Sequence, residues 1–295
     1  MKAKHVIIYL LLVIVTSSCI RDEAPNAEAD ILSCRLPGIT MTTSPIINNN
    51  SVTLFVTPGT NLSALAPEFT LTSGATITPA SGTERNFNSP QEYQVTAADG
   101  IWKKTYAISV IDTELATIYN FEDTISGKKY YIFVERENDK VIMEWASGNA
   151  GYAMTGVAKT ADDYPTFQIA NGKNGKCLSL VTRSTGFFGG LVGMPIAAGN
   201  LFIGSFDVNN AMSNPLQATK FGLPFRHVPT YLAGYYKYKA GDQFTEGGKP
   251  VEGKRDICDI YAIMYETSVS VPTLDGTNAF TSPNLVSMAR IKDAK

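Results

Sequence analysis

Histidine is nearly absent from this sequence, which has only His5 and His227 among 295 residues. His5 lies in an N-terminal stretch that has the pattern of a removed signal, so one imidazole remains. Zinc sites with two or three histidine ligands in one chain are therefore excluded. A Ser-His-Asp or Cys-His hydrolase would depend on His227 alone. We predict no metal site and no cofactor, although a structural calcium held by backbone carbonyls would leave no sequence signal.

A surplus of basic residues is also lacking. Lysine and arginine total 25 and aspartate and glutamate total 27, which gives a formal net charge of −2. Nucleic-acid binders usually carry a basic surplus or stripe, so nucleic acid is not an expected partner. No CxxC pair occurs. Apart from Cys19 there are three cysteines, an odd number that cannot all form disulfides within the chain: Cys34, Cys177 and Cys258. Cys177 and Cys258 lie in strand-like runs, where a small buried residue is the expected role.

No apolar run is long enough to span a membrane, which takes about 20 residues. Val6 to Val15 is a shorter run behind Lys2 and Lys4, the pattern of a secretory signal peptide. It ends in Thr-Ser-Ser-Cys, which resembles a bacterial lipobox. We therefore predict a signal peptide over 1–18, lipidation of Cys19, and anchoring to the outer membrane or cell surface. The acidic, poorly patterned residues 19–33 are predicted to be a tether.

Glycine (24), proline (15) and aromatic residues (10%) are plentiful, which favours short strands and turns. Alternating apolar residues mark strands near 52–56, 69–71, 93–95 and 106–110, and Asp99-Gly100 is a strong hairpin signal. This pattern predicts a β-sandwich over 34–112. The stretch from Ser81 to Val110 resembles bacterial Ig-like modules, which implies a spacer without chemistry.

Residues 113–295 are predicted to form a larger jelly-roll β-sandwich, which makes the whole chain all-β. The expected strands are 129–135, 140–146, 176–182, 200–207, 231–239 and 256–266. Both faces of 256–266 are largely apolar, which predicts a central strand. Only 112–120 and 212–220 are candidates for a short helix.

Several phrases of this second region occur in a recognisable order: GNLFIGSFD, FGLPF, PTYLAGYYKYKAGDQF, DICDIYAIMYE and LDGTN. From about Tyr119 onward the chain resembles the putative carbohydrate metabolism domain family of surface lipoproteins. The resemblance implies carbohydrate handling, with a carbohydrate ligand, a membrane anchor and other surface glycan-uptake proteins as expected partners. Family domains usually continue past the LDGTN region. We therefore expect the C-terminal domain to be truncated at Lys295.

Candidate ligand-binding residues lie where an aromatic ring and hydrogen-bonding groups could meet a sugar. Trp145 ends a predicted strand, and either a core position or a ligand platform fits it. Asn149 and Tyr152 follow on a predicted open loop and are expected to be exposed, although Asn149 could equally stabilise the loop.

Arg226 and His227 lie between prolines on a predicted connection, where they could donate to a ligand or cover the domain edge. Tyr235 is the candidate platform in the next predicted strand. In a strand, Tyr236 would face the opposite side.

A glycosidase would need two carboxyl groups about 5–9.5 Å apart. The candidates on strand-like segments are Glu122, Asp123, Glu144, Asp207, Asp256 and Asp259. No pair is forced together by spacing, so the catalytic residues stay unassigned. The leading hypothesis is a surface-anchored glycan-binding lipoprotein. A two-carboxylate glycoside hydrolase and a structural or adhesive surface protein are the alternatives.

Overall fold

The computed structural model describes residues 25–268 and 270–291. The predicted signal peptide and the lipidation site Cys19 lie outside these residues. The strands are β1 (Ile31–Arg35), β2 (Ile46–Ile47), β3 (Ser51–Phe55), β4 (Glu68–Leu71), β5 (Thr76–Thr78), β6 (Gln91–Thr96), β7 (Lys103–Ile111), β8 (Val134–Glu137), β9 (Lys140–Ala146), β10 (Thr166–Ile169), β11 (Cys177–Leu180), β12 (Arg183–Ser184), β13 (Ile196–Ala197), β14 (Phe202–Phe206), β15 (Thr219–Phe221), β16 (Thr245–Glu246), β17 (Lys249–Pro250), β18 (Ile260–Tyr265), β19 (Leu274–Asp275) and β20 (Leu285–Ile291).

The helices are few and short. They are α1 (Asn149–Tyr152), α2 (Gly186–Leu191) and α3 (Pro215–Ala218), with 3-10 turns at Ala153–Thr155, Ala161–Asp163 and Val208–Asn210. The all-β prediction is confirmed, with an N-terminal β domain followed by a larger β region. The predicted helix within 212–220 is present, whereas 112–120 contains none and α1 and α2 were not predicted. Within the described ranges no helix is long and apolar enough to cross a membrane.

The N-terminal domain has a five-stranded sheet in the order β2-β3-β7-β6-β5 and a separate antiparallel pair, β1-β4. Strands β3 and β7 run parallel, and the other neighbours are antiparallel. The two sheets share one hydrophobic core. Ile31 and Cys34 of β1 lie in the same buried cluster as Leu54, Tyr93 and Ile108 of the larger sheet. Burying this apolar surface stabilises the domain.

In this domain the structure confirms the predicted hairpin and corrects the predicted tether. The Asp99-Gly100 hairpin is confirmed, because the Asp99 carboxylate accepts the backbone N–H groups of Ile101 and Trp102 at the turn between β6 and β7. The predicted tether, by contrast, contains the start of β1 at Ile31. The alternation of apolar and polar residues at the start of β1 is too short, within an acidic segment, to have predicted a strand.

The larger region has a five-stranded sheet in the order β19-β15-β14-β9-β8. Four two-stranded pairs accompany it: β10-β11, β12-β13, β16-β17 and β18-β20. Strand β9 matches its predicted range, and the strands predicted at 129–135, 176–182, 200–207 and 256–266 are present but shorter or shifted. The jelly-roll closure of this region stays a prediction.

Two strand predictions are wrong. Residues 222–244 contain neither strand nor helix, so the predicted strand 231–239 is absent. Its alternating aromatics have no neighbouring strand to pair with in the described chain. Strand β18 pairs only with β20 there, so it is not the predicted central strand.

The three described cysteines are all free thiols. Cys34 is buried in the N-terminal core, and burial raises its thiol pKa to about 12, which leaves it unreactive. Cys177 and Cys258 are half-buried, so the prediction that they are small core residues is only partly met. Cys258 also precedes β18 and does not lie within it.

Candidate functional site

Trp145 is half-buried on β9 and lies at the centre of an aromatic and acidic cluster. Its indole Nε1 donates a hydrogen bond to Glu135 Oε1 at 2.8 Å. Its ring packs against Tyr119 and Phe121, with ring centroids 5.0 and 5.4 Å apart. We call Tyr119, Phe121, Glu135 and Trp145 the Trp145 cluster. A buried indole needs a partner for its N–H, and the Glu135 carboxylate supplies it.

Phe121 is held in an unusual backbone conformation within this cluster. Its φ is 58°, in the left-handed region that bulky residues rarely adopt. Such a conformation costs on the order of 1–3 kcal/mol and is often found at functional sites. The ring contacts Phe133 as well as Trp145, with centroids 6.2 Å apart for the Phe133 pair. The packing of this ring therefore offsets local backbone strain.

The surroundings of the cluster raise the pKa of both Glu135 and Tyr119. Burial raises the pKa of Glu135, the nearby Asp123 carboxylate raises it further, and the Trp145 hydrogen bond partly opposes this. Burial, with the Glu135 carboxylate, raises the pKa of the Tyr119 hydroxyl to about 12. Glu135 was not among the sequence candidates. The Asn138-Asp139 turn, with both residues at positive φ, is the signal that could have placed it opposite β9.

A hairpin turn connects this cluster to a second exposed surface. The side-chain amide of Gln168 on β10 donates to the backbone oxygens of Phe121 and Glu122, at 2.7 and 2.9 Å. The Glu122 carboxylate accepts the Lys176 N–H at 3.0 Å, at the end of the β10–β11 turn. Gly175 lies directly against this carboxylate, since a Cβ there would come within 2.3 Å of Glu122 Oε1. We call residues 170–176 the hairpin turn.

The second surface is the irregular segment 228–238, which we call the tyrosine loop. Tyr231 and Tyr235 are each 81% exposed and Tyr236 is 46% exposed. Lys173 of the hairpin turn places its Nζ 4.1 Å from the centroid of the Tyr235 ring. Because the segment is not a strand, the prediction that Tyr235 and Tyr236 face opposite sides of a sheet is wrong. The Trp145 cluster, the hairpin turn and the tyrosine loop thus form one continuous set of contacts.

Asn149 and Tyr152 do not line an open loop, and the expectation that they are exposed is wrong. Both are buried on α1. The Asn149 side chain donates to the Thr166 oxygen at 2.7 Å and accepts the Thr166 N–H at 3.1 Å. The Tyr152 hydroxyl donates to the Ser184 oxygen at 2.8 Å. These bonds join α1 to neighbouring strands, so both side chains have a structural role.

Arg226 and His227 lie against the N-terminal domain and not against the Trp145 cluster. His227 Nε2 is 3.1 Å from Glu114 Oε2 in the segment that joins the two regions. Arg226 lines a cavity of about 20 Å³, together with residues that include Phe55 and Leu115. A cavity of this volume holds about one water molecule and is far smaller than a sugar site.

The six predicted carboxylates are scattered. Glu122 contacts the hairpin turn, and Asp123 lies near Glu135. Glu144 precedes Trp145 on β9 and is exposed, near Tyr130 and Lys128. The rest serve local structure or lie apart: Asp207 caps a 3-10 turn, Asp259 binds Arg290 through two 2.8 Å bonds, and Asp256 precedes β18.

Within residues 25–268 and 270–291, no group of three or more histidine, cysteine, aspartate or glutamate side chains is placed to hold a metal ion.

Solved structures include close relatives of this chain. A putative glycoside hydrolase from Bacteroides thetaiotaomicron VPI-5482 is 85% identical, with a TM-score of 0.88 over 93% of this chain and 81% of that one. A putative glycoside hydrolase from Bacteroides vulgatus ATCC 8482 is 47% identical, with a TM-score of 0.56 over 60% of this chain and 72% of that one. No curated protein matches the chain.

Two protein-family models match separate parts of the chain. Residues 31–110 match a domain described as SGBP, N-terminal, where SGBP denotes a surface glycan-binding protein. Residues 120–295, more than half of the chain, match the domain described as putative carbohydrate metabolism domain. The resemblance inferred from the LAGYYKYK segment and its neighbours is confirmed, and the chain belongs to the putative carbohydrate metabolism domain family.

Proposed function

We propose that this protein captures poly- or oligosaccharide at the cell surface without a chemical step. The tyrosine loop is the primary binding surface, and the Trp145 cluster extends it across the hairpin turn. The exposure of Tyr235 carries the proposal, because a large aromatic ring that is 81% exposed contributes little to the packing of the protein. An exposed aromatic face stacks well on the apolar side of a sugar ring.

The openness of this surface supports binding to a polymer. Tyr231, Tyr235 and Tyr236 lie within six residues of one irregular segment and are all exposed. Several exposed aromatic rings on one open segment can contact successive sugar units, whereas a closed pocket admits only a chain end. The match to a surface glycan-binding N-terminal domain and the family membership both support a carbohydrate ligand.

Placement at the surface belongs to the same proposal. Acyl chains on Cys19 would hold the protein in the outer membrane, and the N-terminal domain (34–112) would act as a spacer for the domain over 113–295. The acidic tether and the short apolar run behind Lys2 and Lys4 support this arrangement. Other surface glycan-uptake proteins are the proposed partners. Metabolic radiolabelling with palmitate, compared between wild type and Cys19→Ala, tests the anchor.

The binding function is tested with the purified protein on a glycan array, with reducing ends measured in the same samples. We expect retention of at least one glycan class, no release of reducing ends, and loss of retention in Tyr235→Ala. Trp102→Ala is the matched control, because Trp102 is also exposed but lies on the hairpin of the N-terminal domain. Stable folding without retention of any glycan would instead support the structural or adhesive alternative.

Glycoside hydrolysis is the second candidate, and the Glu135 environment is the observation that favours it. A carboxyl group with a raised pKa can act as a general acid, and Asp123 is near enough to Glu135 to contribute to the rise. Release of reducing ends that is abolished by both Glu135→Gln and Asp123→Asn would establish this activity. Release that persists in both variants would exclude this pair.

A further inference from the structure

We infer that the tyrosine loop binds an anionic polysaccharide, whose sugars carry carboxylate or sulfate groups. The inference rests on the proposed function, because it takes the tyrosine loop as the glycan-binding surface and specifies the charge of the ligand.

The first observation is an uneven distribution of charge along the chain. The whole sequence has slightly more acidic than basic residues, 27 against 25. Between Tyr164 and Gly241 there is one acidic residue, Asp207, whose carboxylate is already bonded to the Asn209 N–H and the Asn210 amide. The same segment contains seven basic residues: Lys173, Lys176, Arg183, Lys220, Arg226, Lys237 and Lys239. Both the hairpin turn and the tyrosine loop lie within this basic segment.

The second observation concerns which of these cations have partners. Lys220 Nζ is 3.6 Å from the Asp275 carboxylate, and the Arg183 guanidinium donates to the Asp162 backbone oxygen. Four lysines of the hairpin turn and of the tyrosine loop and its end are exposed, and within the described part of the chain none of them has its side-chain ammonium within 4.0 Å of a carboxylate. These four are Lys173, Lys176, Lys237 and Lys239. Their charge is therefore available to a ligand.

The third observation is the pairing of charge with a stacking surface. The Lys173 ammonium lies 4.1 Å from the Tyr235 ring centroid, so it covers part of one face of the ring. The high exposure of Tyr235 leaves the rest of the ring open to solvent. A sugar ring that stacks on the open part of the Tyr235 ring would lie beside the Lys173 ammonium, and Lys237 follows two residues later on the same exposed segment. A carboxylate or sulfate there gains a charge-assisted hydrogen bond that a neutral hydroxyl does not.

Affinity electrophoresis of the purified protein tests this inference. Each native gel contains one of three polymers. Polygalacturonate carries carboxylates as its only charged groups, dextran sulfate carries sulfates as its only charged groups, and unmodified dextran is uncharged. We expect retardation by at least one anionic polymer and little by dextran. Retardation by polygalacturonate alone would indicate recognition of carboxylates, and retardation by dextran sulfate alone would indicate recognition of sulfates. Retardation by both polymers would support general recognition of anionic sugars.

Charge substitutions and salt complete the test. Lys173→Gln and Lys237→Gln are each expected to weaken binding about threefold to tenfold, and raising NaCl from about 20 mM to about 300 mM should weaken it at least as much. Lys103→Gln is the matched control, because Lys103 is exposed on β7 of the N-terminal domain. Binding to dextran that is as strong, and insensitive to salt and to Lys173→Gln, would overturn the inference but leave the proposed function intact. Binding to no polysaccharide, together with binding to vesicles of anionic phospholipid, would overturn both.

Discussion

The Trp145 indole donates its N–H to the Glu135 carboxylate at 2.8 Å, across the β8–β9 hairpin. This bond joins a half-buried acid to a half-buried aromatic ring at one end of the set of contacts that leads to Tyr235. It also fixes the plane of the indole against Tyr119 and Phe121. The relationship makes the cluster sensitive to two different kinds of substitution, one that removes the donor and one that changes the charge of the acceptor.

Removing the donor is expected to destabilise the protein. Trp145→Phe keeps an aromatic ring but leaves the Glu135 carboxylate without its partner. A hydrogen bond to a charged group contributes about 1.5–3 kcal/mol, so we expect a loss of roughly that size in the free energy of unfolding. Urea denaturation followed by circular dichroism measures it. Trp102→Phe, on an exposed hairpin, should change the same quantity by less than about 0.5 kcal/mol. Equal effects of the two substitutions would contradict the role assigned to Trp145.

Changing the charge of the acceptor is expected to alter the dependence of stability on pH. The pKa of Glu135 in the folded protein lies above its ordinary value of 4.5, so the folded state binds this proton more tightly than the unfolded state does. Stability from this group therefore increases as the pH falls through the folded pKa towards 4.5, and it is lost as the pH rises. Glu135→Gln removes that contribution. Unfolding curves recorded between neutral pH and 4.5 should show wild type gaining stability relative to the variant, and parallel profiles would count against it.

The hairpin turn is expected to tolerate no side chain at Gly175. Its φ is 71° and an added Cβ would lie 2.3 Å from Glu122 Oε1, so Gly175→Ala must displace the carboxylate from the Lys176 N–H. We expect a loss of about 1–2 kcal/mol from backbone strain together with a further loss of about 1 kcal/mol from the broken hydrogen bond.

Gly82→Ala is the control for that substitution. Gly82 has a similar φ of 80°, and no atom lies within 4 Å of an added Cβ. Its variant should show the strain cost alone. If chemical denaturation gives the same destabilisation for both variants, the contact between Gly175 and Glu122 is not important for stability.

Asn149 is expected to be a structural residue and not a ligand contact. Asn149→Ala leaves the buried N–H and carbonyl of Thr166 without their partners, which should cost about 1–3 kcal/mol or more. Ligand affinity of the folded fraction should be unchanged. The melting temperature and a binding isotherm measured on one sample separate the two effects. A stable variant with weakened glycan binding would return Asn149 to the site.

The N-terminal strands were predictable because successive side chains of each strand point alternately into a well-packed core and away from it. Leu54 and Ile108 are fully buried and Tyr93 is nearly so. Where one face of a strand is buried in this way, an apolar residue at every second position predicts the strand. The turn at Asp99-Gly100 also depends only on local chemistry.

Long-range partners explain most of the failures. The segment 231–239 has the composition of a strand, but a strand exists only where a neighbour accepts its backbone hydrogen bonds. Asn149 has the composition of an open loop, but Thr166, seventeen residues away, turns it inward. Glu135 was missed because the Asn138-Asp139 turn, the local signal for this hairpin, was not used, and because a bulge between Glu135 and Arg136 shifts the pairing with β9.

We propose that exposed aromatic rings of the tyrosine loop bind a glycan without cleaving it. Isothermal titration of the polysaccharide retained most strongly on the array, for wild type and Tyr235→Ala, tests it most directly. Losing one central stacking ring should weaken binding at least about tenfold, equivalent to about 1.4 kcal/mol, with no sugar released and with Trp102→Ala unchanged. Equal affinities of wild type and Tyr235→Ala, in proteins of equal stability, would contradict the account.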